Sequence, residues 1–554
     1  KNHHVTGNLY IPADKKNSLP GILMTCGHSR NGKQAIDYQK TCILLVKNGF
    51  LVFIVDPVCQ GERFQFIDQK ITDQLMSSPT IGHSTLDMGA NLTGTDIVSY
   101  ELWDNIRSLD YLLSRPEVDT TRIGLIGNSG GGTQTVYMMS FDDRIDVAVP
   151  SCFICSIESL FKGIGPQDGC QQLFGEGAWG FEHVDFLIIR APKPTKMLAA
   201  EKDFFPIEAT KKTYLQSKKV FDLLGKPDNL DLFIHPDGHG IHKKSREKAV
   251  EWFAWHLQGR EIKVEEGDLK PQPDSILFAL KNGQVLKSFP NEKSLIQLNL
   301  ERANQFAGQR NDFWINTAMD SCLNQVCTLL NIEKNQDATS VISKGTTKLD
   351  NITIEKVILT GQDNFPIPCL LYIPNKITKR SPAVLFADYR GKNCEFENQG
   401  KINDWLKEGN TVLSIDIRGY GETKDDPSKN KYIGGTNADY RNTLISLYLG
   451  IPLFGQRVED MLTAYNFLLN QNSVNKNQIT ISGIGPTGPI ALHAAALVRK
   501  VDKLQIYNSI DSWYEMIERP QLKNQISLVV PEALKYYDFE DLINSIGKQK
   551  VRFY

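Results

Sequence analysis

No stretch of this sequence is apolar for long enough to cross a bilayer. The strongest run, Phe50 to Val55, has the length of a buried strand, well short of the roughly eighteen residues a membrane helix needs. Blocks of one charge sign are missing too. With 62 Lys+Arg against 64 Asp+Glu and a formal net charge of −2, the chain carries no footprint for nucleic acid or an anionic membrane. A small molecule or a neutral polymer is the expected partner. Close cysteine pairs are scarce: of ten cysteines only Cys152/Cys155 and Cys322/Cys327 lie near one another, and neither pair is joined by a second Cys/His pair at zinc spacing. Ordinary buried thiols and no metal are therefore expected. Cys152-Phe-Ile-Cys155 has the form of a redox motif but lacks a thioredoxin-like setting. No signal peptide is legible in Lys1-Asn-His-His4, which leads straight into a strand-like Val5 to Ile11, so the residues leave the compartment and the oligomeric state open.

What is present is ample apolar material, 41% of 554 residues with 23% charged, enough for large cores. Length alone suggests three or four domains at about 150 residues each. Internal repetition changes that number. Leu9-Tyr-Ile-Pro12 recurs as Leu371-Tyr-Ile-Pro374, and Pro20 to Thr25 as Pro382 to Ala387. Val52-Phe-Ile-Val-Asp56 with Gln60-Gly-Glu62 matches Val412-Leu-Ser-Ile-Asp416 with Tyr420-Gly-Glu422, and further on Asp104 to Leu113 and Ile123 to Ile126 match Asp460 to Leu469 and Ile479 to Ser482. Short apolar strands alternate with amphipathic helices in both copies, which predicts βαβ units and a mainly parallel sheet covered on both faces. The fold class is α/β, two tandem domains, the second incomplete. The expected boundaries are 1–262 for the first copy, 263–345 for a charged, Pro-containing linker with a bridging helix over Asn299 to Ile332, and 346–554 for the second copy.

Strand-like Ile123-Gly-Leu-Ile126 runs into Gly127-Asn-Ser129-Gly-Gly-Gly132 and then a helix-compatible Thr133 to Ser140. This is G-x-S-x-G at a strand-to-helix turn, where the hydroxyl is lifted clear of the sheet and the following helix aims free N–H groups at a developing oxyanion. The spacing fits neither phosphate-binding glycine pattern. Ser29, in Gly27-His-Ser-Arg-Asn-Gly-Lys33, is a weaker rival in a sequence like the elbow of glucuronoyl esterases, with Asn31 where the motif wants glycine. After a serine nucleophile of this type an acid and then a histidine are required. Asp203 follows the strand-like Lys196 to Ala200, with Glu201 and Asp237 as alternatives; His239, flanked by glycines after the strand-like Asp231 to Ile234, competes with His235 and His242. His239 would take and return the Ser129 proton while Asp203 holds its tautomer. Backbone N–H groups of Gly130 and of His28 or Gly27 are the oxyanion candidates.

These motifs, together with Asp142-Asp-Arg-Ile145, Pro150-Ser-Cys152, Ala191-Pro-Lys-Pro-Thr195 and Arg246-Glu247, make residues 5 to about 258 resemble the acetyl xylan esterase-type α/β-hydrolases of carbohydrate-degrading bacteria. The resemblance extends more weakly through the second copy. It implies serine-hydrolase chemistry without metal or organic cofactor, deacetylation of plant polysaccharide or oligosaccharide, Ser129, Asp203 and His239 in the family's catalytic roles, and a periplasmic or secreted setting. Cys26-Gly27 departs from the His-Gly of many relatives. A peptidase or other acyl hydrolase on the same three residues, and a non-catalytic carbohydrate-binding protein, are the alternatives.

In the second copy Ser129 aligns with Gly485 and Gly130 with Pro486. Glycine has no nucleophile, and proline has no N–H to give. At the same offset the positions of Asp203 and His239 fall beyond Tyr554. The second copy is expected to do no chemistry itself, serving as a scaffold or as a wall to the first copy's cleft.

Overall fold

The computed structural model describes residues 2–13, 17–66, 78–165, 168–333, 340–375, 380–426, 439–521 and 525–554. The chain forms two compact units, residues 1–87 with 96–298 and residues 88–95 with 299–554. Among the described residues no helix is long and apolar enough to cross a membrane.

The first unit is built on seven strands, β1 (Gly7–Tyr10), β2 (Leu19–Thr25), β3 (Leu51–Val55), β4 (Val118–Asn128), β5 (Val147–Ser151), β6 (Thr195–Lys202) and β7 (Leu230–Gly238). Their order is β1-β3-β2-β4-β5-β6-β7. Only β1 runs antiparallel to its neighbour. Side chains alternate across the pleat. Leu23, Phe53 and Leu125 therefore face one core with the helices Ile97–Leu113 and Gly130–Phe141. Ile22, Met24, Val52, Ile54 and Ile126 face another with Ile36–Lys47 and Lys243–Gln258. Burial on both faces is what a near-continuous apolar strand such as Leu51–Val55, buried throughout, requires.

The second unit repeats the pattern with β8 (Ser340–Lys348), β9 (Ile352–Thr360), β10 (Pro366–Pro374), β11 (Ser381–Asp388), β12 (Thr411–Ile415), β13 (Val474–Ile484), β14 (Lys503–Tyr507) and β15 (Val551–Phe553), in the order β15-β14-β13-β11-β12-β10-β9-β8. The antiparallel pair β10 and β12 repeats β1 and β3, and β11, β13, β14 and β15 repeat β2, β4, β5 and β6. Two further antiparallel strands, β9 and β8, extend the edge beyond β10.

The stretch after residue 262 differs from a free linker. Val264 and Leu269 are buried in the core that holds Ile22 and Phe253, and the backbone N–H groups of Ala279 and Leu280 each donate to the Glu62 carboxylate, 2.9 Å apart. These contacts fix the charged segment on the first unit. The helical stretch from Asn299 is two helices, Leu295–Asn316 and Met319–Leu330, separated where Ala318 takes an extended backbone (ψ 136°). Cys322, Leu323, Val326 and Leu330 form the buried stripe of the second helix, whereas Ile315, near the end of the first, is exposed.

Candidate active site

β4 ends at Asn128, and the next residue turns the chain sharply. Ser129 has φ 60° and ψ −124°, a conformation disfavoured for a residue with a Cβ, and the helix Gly130–Phe141 starts immediately after it. The turn is held on both sides. Ser129 N–H donates to the Ser151 carbonyl at 2.9 Å, and the Thr25 hydroxyl donates to the Gly131 carbonyl at 2.7 Å. Approach is so close that a Cβ on Gly127 would lie 2.2 Å from Thr25 Oγ1, and one on Gly131 would lie 2.3 Å from the Thr25 carbonyl oxygen. Glycine at these two positions is therefore a packing requirement. Among the described residues the Ser129 hydroxyl has no hydrogen-bond partner, and the N–H groups of Gly130 and His28 have no acceptor. The His28 ring lies over Gly130, where an added Cβ would come within 2.7 Å of it. Gly27 is corrected as a donor: its N–H is committed to the Tyr38 hydroxyl at 2.8 Å.

Parallel pairing brings the ends of β4, β5, β6 and β7 side by side, with Asn128 opposite Ser151 and Lys202 opposite Gly238. That edge, at the C-terminal ends of the strands, is where open α/β sheets build their sites. Asp203 follows β6 and His239 follows β7. His239 Nδ1 lies 2.9 and 3.0 Å from the two Asp203 carboxylate oxygens. Since a carboxylate accepts, Nδ1 donates, and in the neutral ring the lone pair is then on Nε2. Asp203 is almost fully buried (2% exposed against 24% for His239), and its Oδ1 also accepts from Phe205 N–H at 3.2 Å. Phe204 stacks on the imidazole with centroids 4.4 Å apart, which fixes the plane of the ring.

The other two histidines, His235 within β7 and His242 at the start of the helix Lys243–Gln258, are engaged by backbone carbonyls. His235 Nε2 lies 3.2 Å from the Gly240 carbonyl oxygen and His242 Nε2 3.1 Å from that of Gly238, so both serve the loop's own backbone. Burial, then the neighbouring His242, lowers the pKa of His235. Glu201 and Asp237 are exposed and Asp203 alone of the three acids reaches His239. Cys152, at the end of β5, sits against the same pair, and burial followed by the Asp203 charge pushes its thiol up to about 12. A neutral thiol is no rival nucleophile. Both cysteines of the CxxC are free and buried.

Ser29 lies in a tight turn and donates its hydroxyl to the Gly32 carbonyl at 3.2 Å. The rest of that glycine-rich segment is structural: Lys33 Nζ is 2.5 Å from both Asp56 Oδ2 and Glu62 Oε2, and all three side chains are fully buried. Gln60 supports the same loop by donating to the carbonyls of Gly27 and Ser29. The sequence signals Asp56 and Glu62 through their recurrence as Asp416 and Glu422; the lysine escapes notice because the loop before it is shorter in the second copy.

In the second unit the turn survives without a hydroxyl. Gly485 has φ 60°, as Ser129 does, and its N–H donates to the Tyr507 carbonyl at 2.8 Å, repeating the bond from Ser129 to Ser151. The next residue is Pro486, and a Cβ on Gly485 would meet the Tyr389 ring at 3.2 Å.

The family model described as acetyl xylan esterase matches residues 1–162 and 325–537. A Bacillus subtilis (strain 168) protein named "Putative hydrolase YtaP" is 25% identical over 266 residues, 46% of this chain and 84% of that protein. Among solved structures, methylesterase BT1017 is similar over 56% of this chain at 19% identity with a TM-score of 0.41, and the chain spans only 63% of that protein's length. Acetyl xylan esterase 1 from Thermoanaerobacterium sp. JW/SL YS485 is similar over 42% of this chain and 75% of its own, at 19% identity and a TM-score of 0.30.

Proposed function

The chain belongs to the acetyl xylan esterase family, and from that premise we propose that it removes acetyl groups from plant polysaccharide or oligosaccharide through an acyl-enzyme on Ser129. The observation that carries this reading is the Asp203–His239 pair, with two distances of 2.9 and 3.0 Å to Nδ1, standing at the same strand-end edge as the serine turn.

The steps follow from the groups present. His239 Nε2, kept unprotonated because Nδ1–H is held by Asp203, accepts the Ser129 proton as Oγ attacks the ester carbonyl. The oxyanion is met by the N–H groups of Gly130 and His28, both without acceptors of their own, at the start of a helix whose dipole favours negative charge. His239 then protonates the sugar hydroxyl that leaves. Water, activated by the same imidazole, hydrolyses the acyl-enzyme and releases acetate. Asp203 orients the ring and stabilises its charged form. The near-neutral surface balance suits an uncharged acetylated glycan.

The test is acetate release from acetylated xylan and from p-nitrophenyl acetate by the full chain, beside Ser129→Ala. Turnover by the variant equal to that of the unaltered protein would end the proposal.

A further inference from the structure

A second cluster of chemically active side chains lies beside the serine turn, and no step above uses these side chains, His28 acting there only through its backbone N–H. His28 comes from the loop after β2, His83 from the helix Pro79–Leu92, and Asp168 and Cys170 from the start of the short 3-10 helix Gly169–Gln171. Their donor atoms lie within 4.8 Å of one another. His28 Nε2 is 3.2 Å from His83 Nδ1, 3.3 Å from Cys170 Sγ and 3.6 Å from Asp168 Oδ1. Asp168 Oδ1 is 2.9 Å from Cys170 Sγ and 3.9 Å from His83 Nδ1.

Ligand bonds of about 2.0–2.3 Å at tetrahedral angles put neighbouring donor atoms roughly 3.3–3.7 Å apart. The observed separations bracket that range. We propose that His28 Nε2, His83 Nδ1, Asp168 Oδ1 and Cys170 Sγ bind a zinc ion as a closed, four-ligand structural site.

Three further observations support it. His83 Nε2 lies 2.8 Å from the Val58 carbonyl oxygen; a carbonyl only accepts, so the proton is on Nε2 and the Nδ1 lone pair is aimed into the cluster, the outer-shell arrangement typical of a metal-bound histidine. The Asp168 carboxylate is oriented through its other oxygen, which accepts from Gln171 Nε2 at 3.2 Å. Glu101, buried and with neither carboxylate oxygen hydrogen-bonded, stands 3.7 Å from His83 Nε2, an acid whose burial a cation beside it would offset. Imidazole with thiolate is a donor set that favours zinc over magnesium or calcium. Four protein ligands leave no open position, so the ion would tie three segments together and take no part in ester cleavage. Binding replaces the Cys170 thiol proton, which is released to solvent, and leaves the remaining ring proton of His28 on Nδ1.

The experiment uses the full chain stripped with a chelator and then titrated with zinc or cobalt(II). Expected are one equivalent of zinc retained through gel filtration, a rise in melting temperature with zinc, and, with cobalt, tetrahedral d–d bands plus a thiolate charge-transfer band. Cys170→Ser should abolish that band, and His83→Ala should weaken zinc binding at least about 100-fold. Retention of less than about a tenth of an equivalent by the folded unaltered protein would overturn the site, independently of whether any variant folds. So would a cobalt–thiolate band that persists in Cys170→Ser.

Discussion

Lys33 and Asp56 form an ion pair of 2.5 Å with neither side chain exposed to solvent, and Lys392 and Asp416 repeat it at 2.7 Å in the second unit. In each case a glutamate, Glu62 or Glu422, completes the trio. The trio is kept where the serine is replaced by glycine, so its role is to tie the loop after β2 to that after β3, and in the second unit the loop after β11 to that after β12. Breaking a buried pair leaves a charge without a partner, at a cost of about 3–5 kcal/mol. Lys33→Met should lower the first unit's stability by that order. Lys392→Met should cost less, since Glu422 is 69% exposed where Glu62 is 0% and water screens what remains. Thermal melts of the two variants compare them directly.

Ser129→Ala should reduce ester turnover by at least about 1000-fold with the melting temperature unchanged within error. Because the equivalent turn offers Gly485 followed by Pro486, the second unit should contribute nothing to the remaining activity. Adding Gly485→Ser to Ser129→Ala should restore none, which a p-nitrophenyl acetate assay reads.

Asp203→Asn should cost about 100- to 10,000-fold in kcat with little change in KM, since the amide can present its N–H to Nδ1 and favour the wrong tautomer. Steady-state kinetics on acetylated oligosaccharide decide. An unchanged kcat would move the acid's role to another residue.

Ser29→Ala should leave turnover within about threefold of the unaltered protein, because its hydroxyl is spent on the Gly32 carbonyl. Loss comparable to that of Ser129→Ala would reverse the choice of nucleophile.

Glu176 supplies a pH dependence. It is 4% exposed, and burial, partly offset by the Leu173 N–H and the Tyr137 hydroxyl, raises its pKa to about 7. The folded state holds this proton more tightly than the unfolded chain. Its contribution is therefore whole below about pH 4.5 and is lost as pH rises to about 7, by at most about 3 kcal/mol. Glu176→Gln should thus stabilise the protein more at pH 8 than at pH 5. Melting temperatures at the two values measure the difference.

The parts legible in the sequence are those written in local spacing. G-x-S-x-G after an apolar strand predicts the bend at Ser129, and the repeated strand and helix order predicts both sheets. The choice among His235, His239 and His242 is harder, because all three lie close together where β7 ends and differ in which way the backbone turns them. Carbonyl oxygens of Gly238 and Gly240 take two of them, a fact no spacing encodes. The cluster of His28, His83, Asp168 and Cys170 is illegible for a related reason: its members come from three separated segments. The expected linker likewise has the composition of a connector, yet Val264 and Leu269 find an apolar surface and Glu62 collects its N–H groups.

Ser129 and Gly485 bend through the same φ of 60°, but only one of them carries a side chain. Such a conformation costs a non-glycine residue about 1–3 kcal/mol, and glycine far less. The two units thus hold an internal control within one chain: the difference in energy between their turns is the cost of carrying a hydroxyl on a backbone bent this way.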